Sequence, residues 1–419
     1  MIDERLLDDT DALARADARG ALLALASAGA RVRTGLRLAD EAGLAALRPE
    51  GRPRAVLVAA HGAAAQAGDV LAALGNGACQ VTVLRPAPVV PDPALVHQVT
   101  RSDVFALGLD WTLPGWAGPS DLLVVAATVG SCPGLITLVE RAYSRGCSIV
   151  AVAPPGSGLA EAALQARGLP LPYTPGVPAA LDSHGDGPDA DLPREDPSDF
   201  WGVLAPLLAL ARRLGVVDGE QAGLHSAADR LDQAAVRCRP SADAYDNPAK
   251  ALAVQLDAAL PLLWSDDPCA SAVAGRFAAM LADHAARPAL TGLLPEALSV
   301  QRGLFSGNLG AGGDPDDFFR DRVDDEGALR LQLVLLRHTP SSRADDAEEP
   351  SADEIREAGD AMRSRRTVAR AHRLAADHQV GLRELASLRS DPVEALAELV
   401  ALTDFAAVYL GLAAETGGR

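Results

Sequence analysis

The feature that most constrains this chain is a repeated unit: a short, uninterrupted apolar run, a tight turn, then a stretch with helical spacing. Ala55-Val-Leu-Val-Ala-Ala60 is the first such run, His61-Gly62-Ala63 its turn, and Ala64 to Leu74 a helix closed by Gly75-Asn76-Gly77. Gln80 to Leu84 reads as a second strand. The pattern returns with Asp121 to Ala127, the turn Val129-Gly130-Ser131-Cys132 and a helix from Pro133 to Ser144, and again with Cys147 to Ala153 before a helix over Leu159 to Ala166. Apolar strands alternating with helices over short links predict a parallel sheet covered by helices.

Around this pattern, residues 3 to 48 carry apolar residues at helical spacing and read as a helical lead-in. From Gly168 to Asp199 the composition shifts to Pro, Gly, Asp and Ser, which is linker composition. The expected organisation is therefore a first α/β domain over 1–167, a linker over 168–199 and a second domain over 200–419. In the second, Phe200 to Leu214 and Gln221 to Arg237 read as helices, and Asn247 caps a third with Pro248 in its first turn. Leu260 to Trp264 is a strand, Asp266-Asp267-Pro268 a strong cap before a helix to His284, and Ala328 to Leu336 the clearest strand of this half. An acidic loop at Asp345 to Glu349 precedes a helix to about Asp377, and a last helix runs from Asp391-Pro392 to about Ala414. Two similar α/β halves predict duplication of a sheet domain.

Composition narrows the function classes. With 419 residues and 48% hydrophobic content the chain has ample core for two domains. A net charge of -18 argues against a nucleic-acid partner, since phosphate binding needs a basic face. No uninterrupted apolar run reaches the roughly 20 residues that span a bilayer, so no membrane partner is expected. Five cysteines (Cys79, Cys132, Cys147, Cys238, Cys269) stand singly, without metal-site spacing, and read as core thiols in a reducing compartment. The expected location is cytoplasmic, with no metal and no cofactor. Lys250 is the single lysine, so it is the one candidate for a lysine base; following a helix cap, it reads as a surface or interface group.

Asp283 and His284 are an adjacent carboxylate and imidazole in an apolar helical context, the pattern a proton-transfer site would use. The plainer alternatives are an ordinary late-helix aspartate and a histidine complementing the helix dipole. The Gly130-Ser131-Cys132 turn precedes a helix and could hold an anion on its backbone N–H groups. His61, directly after a strand, is either an exposed turn histidine or a group occupying ligand space.

Three segments carry a family resemblance. Asn247-Pro-Ala-Lys-Ala-Leu-Ala is similar to the Asn-x-Ala-Lys-x-Leu-Ala helix of the bacterial dual-specificity phosphoglucose/phosphomannose isomerases. Arg276 to Gln301 parallels, without a gap, that family's Arg-Trp-Lys-x-x-x-Asn-Glu-Asn-Ala-Lys-x-Pro-Ala-x-x-x-x-x-Pro-Glu-x-x-His-Asn-Glu. Thr403-Asp404-Phe-Ala-Ala-Val-Tyr-Leu410 looks like its closing helix, Asp-Tyr-x-Ser-x-Tyr-Leu. The resemblance covers nearly the whole chain. It implies two SIS (sugar isomerase) domains related by duplication, each a parallel sheet flanked by helices in three α/β/α layers, and a site at a homodimer interface. The implied chemistry is aldose–ketose isomerisation of glucose 6-phosphate and mannose 6-phosphate, which needs one carboxylate to move a proton between C1 and C2 and a second group to open the ring.

The frame of that family is retained while most of its reacting groups are replaced. By resemblance the base glutamate falls on Asp283, one methylene shorter, a misplacement that can cost ~10²-fold in rate. The ring-opening histidine falls on Ser299, followed by Val300 where the family has Asn. The Gly-x-Gly-Gly-Ser loop reads Ala60-His61-Gly62-Ala63-Ala64, placing Gly62 and Ala64 at ligand-binding positions without the serine. The Ser-x-Ser-Gly-x-Thr phosphate loop reads Ala127-Thr128-Val129-Gly130-Ser131-Cys132, and the Pro-x-Gly-x-x-Pro-Arg turn ends as Pro178-Ala179 without its arginine. The expectation is a degenerate member: a protein binding a carbohydrate derivative such as a sugar phosphate, or a regulatory homodimer, with lost or strongly reduced isomerase activity. One alternative is an active isomerase using Asp283 with His284 as displaced acid; another is a structural oligomer subunit.

Overall fold

A computed structural model describes residues 3–48, 51–75, 77–91, 105–129, 132–176, 195–306, 330–339 and 352–415. They form two compact units, one of Arg19–Asp232 and one of Met1–Ala18 with Gln233–Arg419. The chain opens with α1 (Glu4–Asp8) and α2 (Thr10–Ala16), capped by the side chains of Asp3 and Asp9.

In the Arg19–Asp232 unit, α3 (Ala21–Ala26) and α4 (Ala28–Glu41) precede β1 (Ala55–Ala59), α5 (Gly62–Gly75) and β2 (Gln80–Leu84). A short antiparallel pair, β3 (Ala87–Pro88) with β4 (Leu109–Asp110), leads to β5 (Asp121–Ala126), α6 (Pro133–Ser144), β6 (Ser148–Ala153), α7 (Gly158–Gln165), β7 (Leu169–Pro172), α8 (Asp199–Arg213) and α9 (Ala222–Arg237), whose last residues from Gln233 belong to the other unit. The sheet is parallel, in the order β2-β1-β5-β6-β7. Leu57, Leu123 and Val125 face Leu135 and Leu138 of α6 and Leu159 of α7. Val58 points to the opposite face, where Gly68 lets α5 approach so closely that a Cβ there would lie 3.0 Å from Val58 Cγ1. Helix α8 packs on α4 and α5, completing three layers.

Two expectations change here. The stretch 168–199 does not divide the units: β7 lies within it as the sheet's edge strand, and α8, expected in the second domain, belongs to the first unit. Pro170 and Pro172 remove two amide donors, which an edge strand tolerates and which disguises it as linker. All of Asp199–Ala211 is buried, because α8 is apolar around its circumference and needs cover on every side. The rest of that stretch, 177–194, lies outside the described residues.

In the other unit, α10 (Pro248–Gln255) leads to β8 (Ala259–Ser265), α11 (Pro268–Ala285), β9 (Leu290–Leu293), α12 (Ala297–Val300), β10 (Arg330–His338), α13 (Ala352–Asp377), β11 (Gly381–Ser387) and α14 (Pro392–Glu415). The sheet is again parallel, ordered β11-β10-β8-β9, so β9-β8-β10-β11 repeats the β2-β1-β5-β6 sequence of the first unit. Val368, Ala371 and Ala375 of α13 pack on Leu262, Leu333 and Leu335. On the remaining face α11 and α14 lie side by side, joined by a buried ion pair in which Arg276 Nε and Nη2 donate to Asp404 Oδ2 at 2.9 and 2.6 Å. At their far ends Gly411 sits against the His284 carbonyl, with no room for a Cβ.

Residues 1–18, expected in the first domain, belong here: Asp3 N donates to Ala413 O at 3.2 Å and Asp8 accepts from Ala244 N at 2.7 Å. Lys250 is fully buried rather than at the surface. Its ammonium donates to the carbonyls of Leu7, Pro240 (2.7 Å) and Ala242 (2.7 Å), so a carbonyl cage satisfies all three N–H groups. Burial lowers its pKa. Helix α14 is, among the described residues, the one helix long and apolar enough to cross a membrane, and 89% of that window is buried inside the protein, as a core helix would be.

Candidate functional site

In parallel sheets, ligands bind outside the carboxyl ends of strands where the strand order reverses. In the first unit that point lies between β1 and β5. The turn after β1 holds His61 and Gly62, the latter at φ +55°, in the left-handed region glycine favours. Ala63 N–H, at the start of α5, donates to both carboxylate oxygens of Glu195, at 2.9 and 2.7 Å. A Cβ at position 62 would overlap Glu195 Oε1, so only glycine lets the carboxylate seat there. Ala64 is buried and offers a methyl where the family has serine. The His61 ring lies 6.1 Å from Phe105 and 6.3 Å from Trp111; its Nε2 is buried without a hydrogen-bond partner, and burial lowers its pKa.

Gly130 and Ser131 lie outside the described residues. Cys132 occupies the N-cap position of α6 without a side-chain hydrogen bond to the helix; it is fully buried, which pushes its thiol up to about 11. It therefore stays protonated near neutral pH.

The equivalent point in the other unit lies between β8 and β10. Asp267 Oδ1 accepts from Cys269 N (2.8 Å) and Ala270 N (3.1 Å), and Oδ2 accepts from His338 N (3.3 Å). Burial raises its pKa. Beside it Arg337 bridges Asp266 (2.9 Å) and Glu384 (2.6 Å), Ser364 Oγ donates to Asp266 (2.8 Å), and His372 Nε2 meets Glu384 (2.9 Å). Sequence spacing indicated the Asp267 cap and gave no sign of this network or of Glu195.

Asp283 and His284 lie elsewhere. Helix α11 runs back against the strand direction, so at 1.5 Å per residue Asp283 is about 22 Å from the helix start. Its side chain is 50% exposed, that of His284 is 6% exposed, and the two approach to 3.4 Å. Ser299 is exposed on α12, which follows the carboxyl end of β9. Asp283 therefore stands towards the amino ends of the strands and Ser299 past the carboxyl end of β9, at opposite ends of one sheet, and they are not brought together within the chain. The groove beside Ser299, about 310 Å³, is lined by Ser271, Thr291, Leu293, Glu296, Val300 and Gln301, among others, and reaches neither Asp283 nor His284. Gln301 braces its wall, accepting from Trp264 Nε1 at 2.6 Å and donating to Thr291 O at 2.7 Å. Among the described residues no three His, Cys, Asp or Glu side chains are placed to hold a metal.

Residues 245–416 match the bacterial phospho-glucose isomerase C-terminal SIS domain. No curated protein matches the chain in sequence. Among solved structures it is similar to a hypothetical protein from Thermus thermophilus (15% identity, 97% of this chain and 89% of that one, TM-score 0.57). It is also similar to a phosphosugar isomerase candidate from Bacillus subtilis (14%, 93% and 94%, TM-score 0.52) and to one from Silicibacter pomeroyi (17%, 99% and 98%, TM-score 0.50). At these identities the likeness speaks for the fold, which is the same over nearly the full chain. Residues 245–416 therefore belong to the bacterial phospho-glucose isomerase C-terminal SIS domain, and the two parallel sheets of the chain repeat one topology.

Proposed function

We propose that this protein binds a carbohydrate derivative, with a sugar phosphate the first class to test, and has lost most or all isomerase turnover. The observation that carries this reading is the chemistry at the positions the family uses. Ala64 has no hydroxyl, Cys132 is a buried thiol held protonated, and Ser299 is an exposed hydroxyl that cannot donate a proton near neutral pH as a histidine can. Asp283 is left as a half-exposed carboxylate 3.4 Å from His284. A homodimer belongs to the same reading, because a second copy could bring one chain's Asp283 opposite another's Ser299. A cytoplasmic location completes it.

The test is a coupled assay with glucose 6-phosphate, mannose 6-phosphate and fructose 6-phosphate, beside a thermal-shift screen of sugar phosphates and nucleotide sugars. No turnover with an upward shift by at least one ligand is the expected result, since a ligand that binds only the folded state raises its midpoint. Turnover abolished by Asp283→Asn would overturn it in favour of an active isomerase. An empty screen with no turnover would favour a structural subunit.

A further inference from the structure

At the β1/β5 crevice an anion is already present, and the chain supplies it. Glu195 reaches the Ala63 amide in the first turn of α5 across 132 positions of sequence and takes it with both oxygens. The seat is built from both sides. Gly62 provides the cleared, left-handed position that lets a carboxylate come this close. The Glu195 backbone is held by its neighbours, since Asp196 Oδ1 accepts from Ser198 N (2.8 Å) and Ser198 Oγ (2.6 Å), while Gly176 packs against the Asp196 carboxylate. Tyr173, following β7, donates its hydroxyl to Asp199 and ties the same segment to the sheet.

We infer that Glu195 is a resident anion: its carboxylate holds the N-terminus of α5 at the mouth of the β1/β5 crevice, so an anionic ligand reaches that amide only by displacing it. This deepens the reading above by naming the regulation of the same site. A tethered carboxylate acts at the high local concentration its chain imposes, so free phosphate competes at a disadvantage. The nearby His61 imidazole, kept neutral by burial, does not offset the charge.

The test titrates the full chain with inorganic phosphate and, separately, fructose 6-phosphate at fixed ionic strength, by calorimetry. The variants are Glu195→Gln, which keeps the shape, Glu195→Asp, which keeps the charge but withdraws it by one methylene, and Glu161→Gln on α7 as a control for loss of one negative charge. Phosphate affinity should rise roughly tenfold or more in Glu195→Gln, rise less in Glu195→Asp, and stay unchanged in the control. Should Glu195→Gln misfold, the Ala63 amide resonance of the wild type follows the displacement directly and should move as phosphate saturates. Equal phosphate affinity in wild type and Glu195 variants overturns the resident-anion role and leaves sugar binding intact. Absence of phosphate binding in all of them also overturns it, whereas the ligand-binding reading falls only if the sugar-derivative screen is empty for wild type and variants alike.

Discussion

The two sheets place a helix N-terminus at the same topological point and close it differently. After β8 the cap is Asp267, the residue directly before α11, and its carboxylate also takes the His338 amide from the neighbouring strand. After β1 the link to Ala63 is Ala60, His61 and Gly62, with no carboxylate of its own, and the carboxylate arrives from Glu195, far along the chain. A cap from the adjacent residue costs almost no chain entropy to place and is hard to remove; a carboxylate from a distant segment can leave with that segment. One crevice is thus closed by its own sequence, and the other by tertiary structure. The ion pairs of Arg337 with Asp266 and Glu384 reinforce the first kind of closure.

This contrast can be broken experimentally, and the largest effect lies in the scaffold beneath the Asp267 crevice. Asp404→Ala should cost about 3–5 kcal/mol in denaturant unfolding, because it leaves the buried Arg276 charge without its carboxylate. The double change Arg276→Met with Asp404→Leu should be far milder, since it removes both charges. Gly411→Ala, which forces a methyl onto the His284 carbonyl, should cost about 1–3 kcal/mol.

Next in size is the cap comparison. Asp267→Ala should cost roughly 0.5–2 kcal/mol as a lost N-cap. Glu195→Ala should cost less, about 0.3–1 kcal/mol for an anion near a helix N-terminus. Equal losses would mean that Glu195 is as structural as Asp267, and the contrast between the crevices would fail.

The pH response should also differ between the units. Burial lifts Asp404 to about 6, against the Arg276 charge that pulls it down. The folded state therefore binds this proton more tightly than the unfolded chain, whose aspartates titrate at ~3.9. Its contribution to stability is greatest below that unfolded value and declines as pH rises towards about 6. Asp121 behaves oppositely: the Arg54 hydrogen bonds hold its carboxyl below the usual range, so its stabilisation is present above the unfolded value and is lost as pH falls through the folded one. Unfolding midpoints from pH 4 to 7 should show the declining component in wild type and lose it in Asp404→Asn. Smallest of all, Ser299→His should change stability by no more than about 0.5 kcal/mol, because the position is exposed.

Much of the framework was legible before any tertiary contact was known. The runs at 55–60, 121–127 and 260–264 are strands because their neighbours along the chain alone give the apolar pattern. Asn247 and Asp267 cap their helices for the same local reason. Three edge strands were not legible: β7 hides in Pro-rich sequence, β9 is only four residues long, and β11 carries the adjacent charges Arg383 and Glu384 and neither a continuous apolar run nor a strict alternation. At the candidate site, spacing made Asp283 and His284 look like a pair, while their burial and their distance from Ser299 depend on which way α11 runs across the sheet.

By itself, then, the sequence determined two parallel α/β units, because strand and helix periods are written in residues two to four apart, while the SIS type rested on the resemblance of three segments to a known family. Tertiary structure decided which unit holds α8 and the first helices, that Lys250 would be buried in a carbonyl cage, and that Glu195 would cap α5. Each of those depends on contacts made by residues distant along the chain, as in the pairings of Leu7 with Lys250 and of Ala63 with Glu195. Such contacts are set by burial and loop closure rather than by local periodicity, so no local pattern announces them.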